Sequence, residues 1–269
     1  MKPRINPLQV FKNSKTPAGL YARQKWLGES VTSQWKNDFR EIIQGLFKDQ
    51  NKNGSWKESQ VETIHKLFGL HLTLREPNDE IDRALNWLLG KIDLQKAQLQ
   101  ASGKEDKINE QLEGLPFIHN NRQIFLLSAT LFLASIFKRQ EDSFVMDCYQ
   151  RISSANQVNN IIRTDPASSY NIFRALVVNP NYSAEKFTLP FVSYYSYIQT
   201  SSGDWGSSMP FYQILNALAH LDFSMVDLQL EKAFTRLYNI QNEDGTWGDD
   251  EPEWNTFLVV HALKNKGVF

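Results

Sequence analysis

The sequence predicts an all-α protein built from repeated helical hairpins, and three observations carry that expectation. Three stretches share one pattern: Gln50-Asn-Lys-Asn-Gly54-Ser-Trp56, Gln199-Thr-Ser-Ser-Gly203-Asp-Trp205 and Gln241-Asn-Glu-Asp-Gly245-Thr-Trp247 each read Q-x-x-x-G-x-W. Each is followed by a segment whose apolar residues recur at helical spacing, and such recurrence marks a repeat architecture. No strand pattern of any length appears along the 269 residues.

The elements follow in order. Residues 1–19, with Pro3, Pro7, Pro17 and Gly19, read as an extended arm ahead of one domain over 20–269. A helix beginning near Leu20 carries Tyr21, Trp26 and Leu27 until Gly28 ends or kinks it. A second runs from about Ser33 to Phe47, with Trp35, Phe39, Ile42, Ile43 and Leu46 at helical spacing. After the first loop, Val61 to Leu74 is helical through Ile64, Leu67, Phe68 and Leu72. Asn78 or Asp79 caps a helix whose apolar face is Ile81, Ala84, Leu85, Leu88 and Leu89. The polar stretch 95–112 reads as an insertion outside the core. Gly114-Leu-Pro-Phe117 sits where a degenerate loop would fall, before an apolar helix over 121–137. A unit over about 141–178 turns at Arg163-Thr-Asp-Pro166 and lacks the loop pattern. Leu189 to Ile198 has strand-like composition, yet it precedes a loop as the other outer helices do and reads as helix. The total is about ten helices in five hairpins.

Bulk properties narrow the function. Apolar residues are 41% and aromatics 12% of the chain, ample for a substantial core. The net charge of −1 removes an electrostatic case for nucleic acid. A single cysteine, Cys148, excludes an internal disulfide framework and a multi-cysteine zinc site. The start, Met1-Lys-Pro-Arg-Ile-Asn-Pro, has no apolar secretory core. The most apolar run, Ile124 to Phe137, spans fourteen residues, short of the ~20 needed to cross a bilayer. The expectation is a cytoplasmic protein without a transmembrane segment.

The loop residues have assignable work. Gly54, Gly203 and Gly245 supply a backbone conformation that a β-carbon disfavours at a helix exit. Trp56, Trp205 and Trp247 give large apolar contacts between neighbouring hairpins. Gln50, Gln199 and Gln241 hydrogen-bond backbone groups left open at helix ends.

This pattern resembles the QW repeat of squalene–hopene cyclases, oxidosqualene cyclases and protein prenyltransferase β subunits. The longer family pattern opens with a basic residue, a small residue, two spacers, an aromatic and an aliphatic. Arg83-Ala-Leu-Asn-Trp87-Leu88 matches that opening, and Lys232-Ala-Phe-Thr-Arg236-Leu237 matches it except for arginine at the aromatic position. The resemblance covers about 20–269, with its strongest residues at both ends and the weakest over 138–190. It implies an α/α toroid of five to six hairpins around a central cavity, which in the relatives binds isoprenoid chains.

The family's catalytic signatures do not transfer. Class II cyclases protonate an alkene or epoxide with an aspartate in a D-x-D-D or D-x-D-T stretch, which needs an acid held protonated by its neighbours. The corresponding places here read Ser59-Gln-Val-Glu62-Thr63, Asp165-Pro-Ala-Ser-Ser and Pro252-Glu253-Trp-Asn255-Thr256. Glu62 and Asp165 are the candidate proton donors by position, with helix capping or a solvated charge as the competing role. Asp147-Cys148 resembles the prenyltransferase zinc stretch, but adjacent helical residues point about 100° apart and chelate poorly. Asp249-Asp250-Glu-Pro-Glu253 matches the D-D-x-x-E magnesium–diphosphate pattern, but no second metal motif appears, and a solvated acidic turn with Pro252 starting the helix is the favoured reading. No metal or cofactor is expected.

Ligand contacts are expected from aromatics, since their faces attract cations as well as apolar chains. The candidates are Tyr195, Tyr212, Trp254 and Phe257, with His119 beside Arg122 either meeting a polar head group or serving structure. His65, His220 and His261 recur late in the segments after the loops and read as packing residues. Three functional readings follow. The first is a terpenoid-cyclase-like protein holding an isoprenoid or other apolar ligand, with cyclase or transferase activity as its catalytic form. The second is a non-catalytic toroid for protein interaction. The third is a carbohydrate-active α/α barrel with two facing carboxylates drawn from Glu62, Asp165, Asp204 and Asp249.

Overall fold

The computed structural model describes residues 3–93, 112–118 and 121–269. His119 and all but the last residue of the polar stretch 95–112 lie outside them. The described residues hold twelve α-helices and no strand: α1 (Pro17–Lys25), α2 (Ser33–Phe47), α3 (Gln60–Thr73), α4 (Asp79–Leu89), α5 (Arg122–Ile136), α6 (Ser143–Ile152), α7 (Ala155–Thr164), α8 (Pro166–Val178), α9 (Glu185–Ile198), α10 (Phe211–Leu218), α11 (Ser224–Asn239) and α12 (Pro252–Asn265). None is long and apolar enough to cross a membrane. The chain divides into two compact units: Met1–Lys48 with Leu72–Leu74 and Ile198–Phe269, and Asp49–His71 with Arg75–Tyr197.

Local chemistry sets the boundaries. Asn78 caps α4 by accepting from the Ile81 amide at 2.9 Å, as its residue type favours. Thr16 caps α1 through the Gly19 amide at 2.9 Å, with Pro17 at the first helical position. The amino-terminal arm is therefore not extended throughout. Pro7–Phe11 forms a 3-10 turn, started by Asn6 accepting from the Leu8 amide, and α1 begins three residues ahead of Leu20. The strand-like stretch before the second loop lies in α9, which tolerates Pro190 in its interior. The unit over 141–178 carries three helices, because Ser153-Ser154 separates α6 from α7.

The three Gln-Gly-Trp loops are built alike. In each, the residue after glutamine donates its amide to the carbonyl before tryptophan: Asn51 to Ser55 at 2.8 Å, Thr200 to Asp204 at 2.8 Å, Asn242 to Thr246 at 3.0 Å. The glycines have φ of +95°, +87° and +90°, in the region L-residues avoid. A β-carbon on Gly54 would fall on the Arg83 carbonyl, and one on Gly203 on the Lys232 carbonyl. These are the basic residues that open the longer repeat pattern, so each opening marks where one hairpin's helix meets the preceding loop.

The glutamine fixes that meeting. Gln50 Nε2 donates to the Gly54 carbonyl at 3.0 Å and the Glu80 carbonyl at 2.9 Å. Gln199 Nε2 donates likewise to Gly203 at 3.3 Å and Gln229 at 2.9 Å. Gln241 Nε2 donates to Gly245 at 2.9 Å, but its second acceptor is the Ile5 carbonyl at 2.9 Å. The amino-terminal arm thus occupies, on the third loop, the place that α4 and α11 take on the first two. Trp56, Trp205 and Trp247 are 1%, 2% and 1% exposed, so each is a core residue of its unit.

Candidate functional site

In the first unit, α1 and α12 carry a continuous aromatic assembly. Trp254 and Phe257 stack at 5.3 Å with ring planes 10° apart. Trp26 lies 5.3 Å from Phe257, and Tyr21 meets the same ring edge-on at 5.4 Å. His261 lies 5.9 Å from Phe257 and 5.2 Å from His220. Trp254 and Phe257 are buried, while Tyr21, Trp26 and His261 are half-buried. Helical spacing explains the set: Trp254, Phe257 and His261 fall at i, i+3 and i+7 on one face of α12. The arm ties this face down, since Ser14 and Thr16 both donate to Glu253 Oε1 in the first turn of α12. That engagement, with Glu251 in a left-handed turn before Pro252, gives the D-D-x-x-E stretch a structural role.

Two expected contact residues lie elsewhere. The Tyr212 ring lies against Gly248, where an added β-carbon would come within 3.2 Å of it. Burial raises its phenol pKa. Nearby, Arg236 covers the Phe211 ring at 5.6 Å and pairs with Asp204 at 3.3 Å. Arg236 therefore serves as a flat packing surface for the Phe211 ring. Tyr195, in the second unit, is fully buried edge-on to Phe173 at 5.3 Å. Burial raises its phenol well above the ordinary value. Trp254 and Phe257 are thus the expected pair that the fold joins directly.

The candidate acids occupy local roles. Glu62 faces Lys57 at 3.5 Å with its side chain 31% exposed. Asp165 caps α8, accepting from the Ser168 amide at 3.1 Å. The neighbouring threonines do more: Thr63 accepts from the Trp56 amide at 3.1 Å and donates to the Ser59 carbonyl at 2.7 Å. Thr256 repeats this with Trp247 at 3.2 Å and Pro252 at 2.6 Å. Among the described residues no group of three or more His, Cys, Asp or Glu side chains could hold a metal ion. Cys148 is buried, and burial pushes its thiol up to about 12, with Asp147 adding to the effect. Asp147 itself pairs with Arg151 at 3.3 Å.

The second unit has its own aromatic face. Phe132 on α5 lies 5.9 Å from Phe68 and 5.4 Å from Phe117, and Phe117 also meets Phe125 at 5.9 Å. His71 stands edge-on to Phe132 at 6.2 Å. The Arg174 guanidinium from α8 lies over the Phe132 ring at 5.3 Å. Arg174 carries no motif that singles it out in the sequence.

Comparison with known proteins supports the fold. A solved structure, "Crystal structure of a protein from Actinoplanes", is similar to 96% of this chain and covers 90% of its own, with a TM-score of 0.52 and 14% identity. That likeness is one of fold alone. No family model matches the chain, and no curated protein matches it in sequence. The class defined at this level is an all-helical repeat protein.

Proposed function

We propose that the chain is a terpenoid-cyclase-like repeat protein, an α/α toroid of five to six hairpins that binds an isoprenoid or other apolar molecule. The observation that carries this reading is the aromatic assembly of Trp26, Tyr21, Trp254, Phe257 and His261. Buried rings there support half-buried ones, an arrangement that offers apolar area and π faces to a ligand. The three loops with one hydrogen-bond pattern support the toroid, since repeated braces of this kind stack hairpin on hairpin. Binding without turnover is the favoured form. Glu62 pairs with a lysine and Asp165 caps a helix, so both candidate acids already serve local structure.

Native mass spectrometry with solvent extraction, on protein purified without detergent, tests this. A retained isoprenoid or lipid that is lost on Phe257→Ala supports the reading. A clean apo mass, with no uptake of farnesol or squalene, overturns it in favour of a protein-interaction scaffold.

A further inference from the structure

Asp227, Leu230, Glu231 and Phe234 fall at i, i+3, i+4 and i+7 of α11 and so share one face. That face is one wall of a cleft of about 400 Å³ in the first unit, within the range of roughly 300–1,000 Å³ that small-molecule sites occupy. The facing wall is the chain just past α12. Gly267, at φ +66°, turns it back: its amide donates to the Lys264 carbonyl at 3.1 Å, and the Val268 amide donates to the Leu263 carbonyl at 2.9 Å. These are the paired bonds that close a helix in a left-handed turn. Val268 thereby lines the cleft together with Leu230 and Phe234. Leu230 is buried and the other two are half-buried, which gives the cleft an apolar floor.

The polar groups around that floor offer acceptors and no spare donor. Lys266 lines the cleft, but an ammonium has three N–H groups to give. All three are spent, on the Leu221 carbonyl at 2.6 Å, Asp222 Oδ1 at 2.9 Å and Asp227 Oδ1 at 3.1 Å. These bonds fasten the wall past α12 to α11, so the cleft needs no ligand to form. The Thr235 hydroxyl, also in the lining, donates to the Glu231 carbonyl at 3.0 Å. Among the described residues that line the cleft or pair with its lining, Asp222, Asp227 and Glu231 set three carboxylates against one ammonium. Lys232 falls outside the spacing of the cleft face, and the Lys264 ammonium lies over the Phe269 ring at 4.7 Å.

We infer that this cleft is a binding site for a small organic cation, a primary ammonium carried on an apolar body. Leu230, Phe234 and Val268 meet the body, and the Asp227 and Glu231 carboxylates accept from the ammonium. An anion would meet surplus negative charge and find no donor left to give. A neutral alcohol would gain the floor without the charge. The Asp227 side chain is 63% exposed and Glu231 is exposed as well, so the carboxylates supply selectivity more than affinity. The inference does not rest on the aromatic assembly of Trp26, Trp254 and Phe257, none of which lines this cleft.

The test is an amide chemical-shift titration of the full chain with 3-phenylpropylammonium, with 3-phenylpropan-1-ol and 3-phenylpropionate as its neutral and anionic counterparts, and with ammonium chloride. The amine is expected to give saturable shifts confined to residues 227–235 and 266–268. It should bind up to about fivefold more tightly than the alcohol, the scale of an exposed ion pair, and that gap should narrow as salt is raised. The anion should bind more weakly than the alcohol. Glu231 is exposed, so Glu231→Gln and Glu231→Lys should fold and melt as the parent does. The first should shrink the preference for the amine, and the second should reverse the order of amine and anion. Equal binding of amine and alcohol, absence of saturable shifts, or an unchanged preference in Glu231→Lys would overturn the site. Equal binding of ammonium chloride would overturn the part given to the apolar floor. Shifts centred on Trp254 and Phe257 would assign the amine to the aromatic assembly and remove the cleft from the account. Farnesol uptake that survives these failures leaves the apolar-ligand reading standing by itself.

Discussion

Gln241 and Ile5, 236 residues apart, exchange two hydrogen bonds: the Ile5 amide donates to Gln241 Oε1 at 3.1 Å, and Gln241 Nε2 donates to the Ile5 carbonyl at 2.9 Å. Arg4 adds a third bond, from its guanidinium to the Gln241 carbonyl. Gln241 is 4% exposed, and its Oε1 is met by the arm while its Nε2 is shared between the arm and the Gly245 carbonyl. Gln241→Leu removes the partner of the Ile5 amide and carbonyl and of the buried Gly245 carbonyl, at a cost of about 1–3 kcal/mol. The expected readout is a lower melting temperature, with faster amide exchange confined first to residues 4–12. Unchanged exchange in the arm would show that other interactions hold it.

The repeat tryptophans should behave as core residues. Trp205→Ala and Trp247→Ala each remove a side chain that is at most 2% exposed, and large-to-small truncations of this kind cost about 3–5 kcal/mol. Trp247 also donates its indole N–H to the Leu237 carbonyl at 2.9 Å, a hydrogen bond that alanine cannot make. Thermal unfolding followed by circular dichroism checks both variants, and melting within a degree or two of the parent would contradict the packing described.

Two glycine classes separate backbone strain from close approach. Gly114 has φ +73° with nothing among the described residues within 4 Å of where a β-carbon would stand, while Gly203 at +87° faces the Lys232 backbone. Gly114→Ala should cost about 1 kcal/mol, from conformation alone. Gly203→Ala must also push α11 away, so it should destabilise severalfold more. Equal effects in chemical denaturation would mean that the loop and α11 do not press together.

Acid should weaken the first unit through Asp38. Its carboxylate, 3% exposed, is held below the usual value chiefly by the Arg23 guanidinium at 2.8 Å, with Gln34 and Lys15 adding to the effect. A depressed folded-state pKa contributes stability that is present above the unfolded value of about 3.9 and is lost as pH falls toward the folded one. Melting temperature should therefore drop between the ordinary carboxylate value and lower pH. Asp38→Asn should lower stability near neutrality and flatten that acid limb. A parallel pH profile in the variant would remove Asp38 from the account.

Cys148 should be silent in the folded state. Its thiol is buried and pushed up to about 12, and the reactive species is the thiolate. Alkylation by iodoacetamide near neutral pH should follow the unfolded fraction across a denaturant series. Fast labelling of the native protein would show that α6 opens locally.

The sequence makes the loops legible because three residue types recur at one register, and each type has one physical use there. The openings at Arg83 and Lys232 are legible for the same reason, and both sit where the preceding glycine makes room. The arm's part is not legible: Arg4-Ile5-Asn6 has no pattern, and its partner lies at the other end of the chain. Residue type alone also misassigns emphasis among the aromatics. Tyr195 and Tyr197 read alike, yet one is fully buried and the other 86% exposed. Arg174 passes unnoticed for a related reason, since what distinguishes it is burial with two guanidinium nitrogens lacking a hydrogen-bond partner among the described residues, a property of the folded surroundings. Among the acids, position suggests Glu62 and Asp165, but the buried hydroxyls of Thr63 and Thr256 are the groups that join loop to helix.

The glutamine braces act as rulers. Gln50 reaches Glu80 and Gln199 reaches Gln229, a span of thirty residues in both cases. Chain inserted inside such a span must bulge outward without shifting the acceptor, whereas chain added beyond it disturbs no brace. The polar stretch 95–112 falls outside both spans. The architecture therefore accepts growth at its joints and resists it within its measured segments, which marks where a reporter domain can be inserted at least penalty.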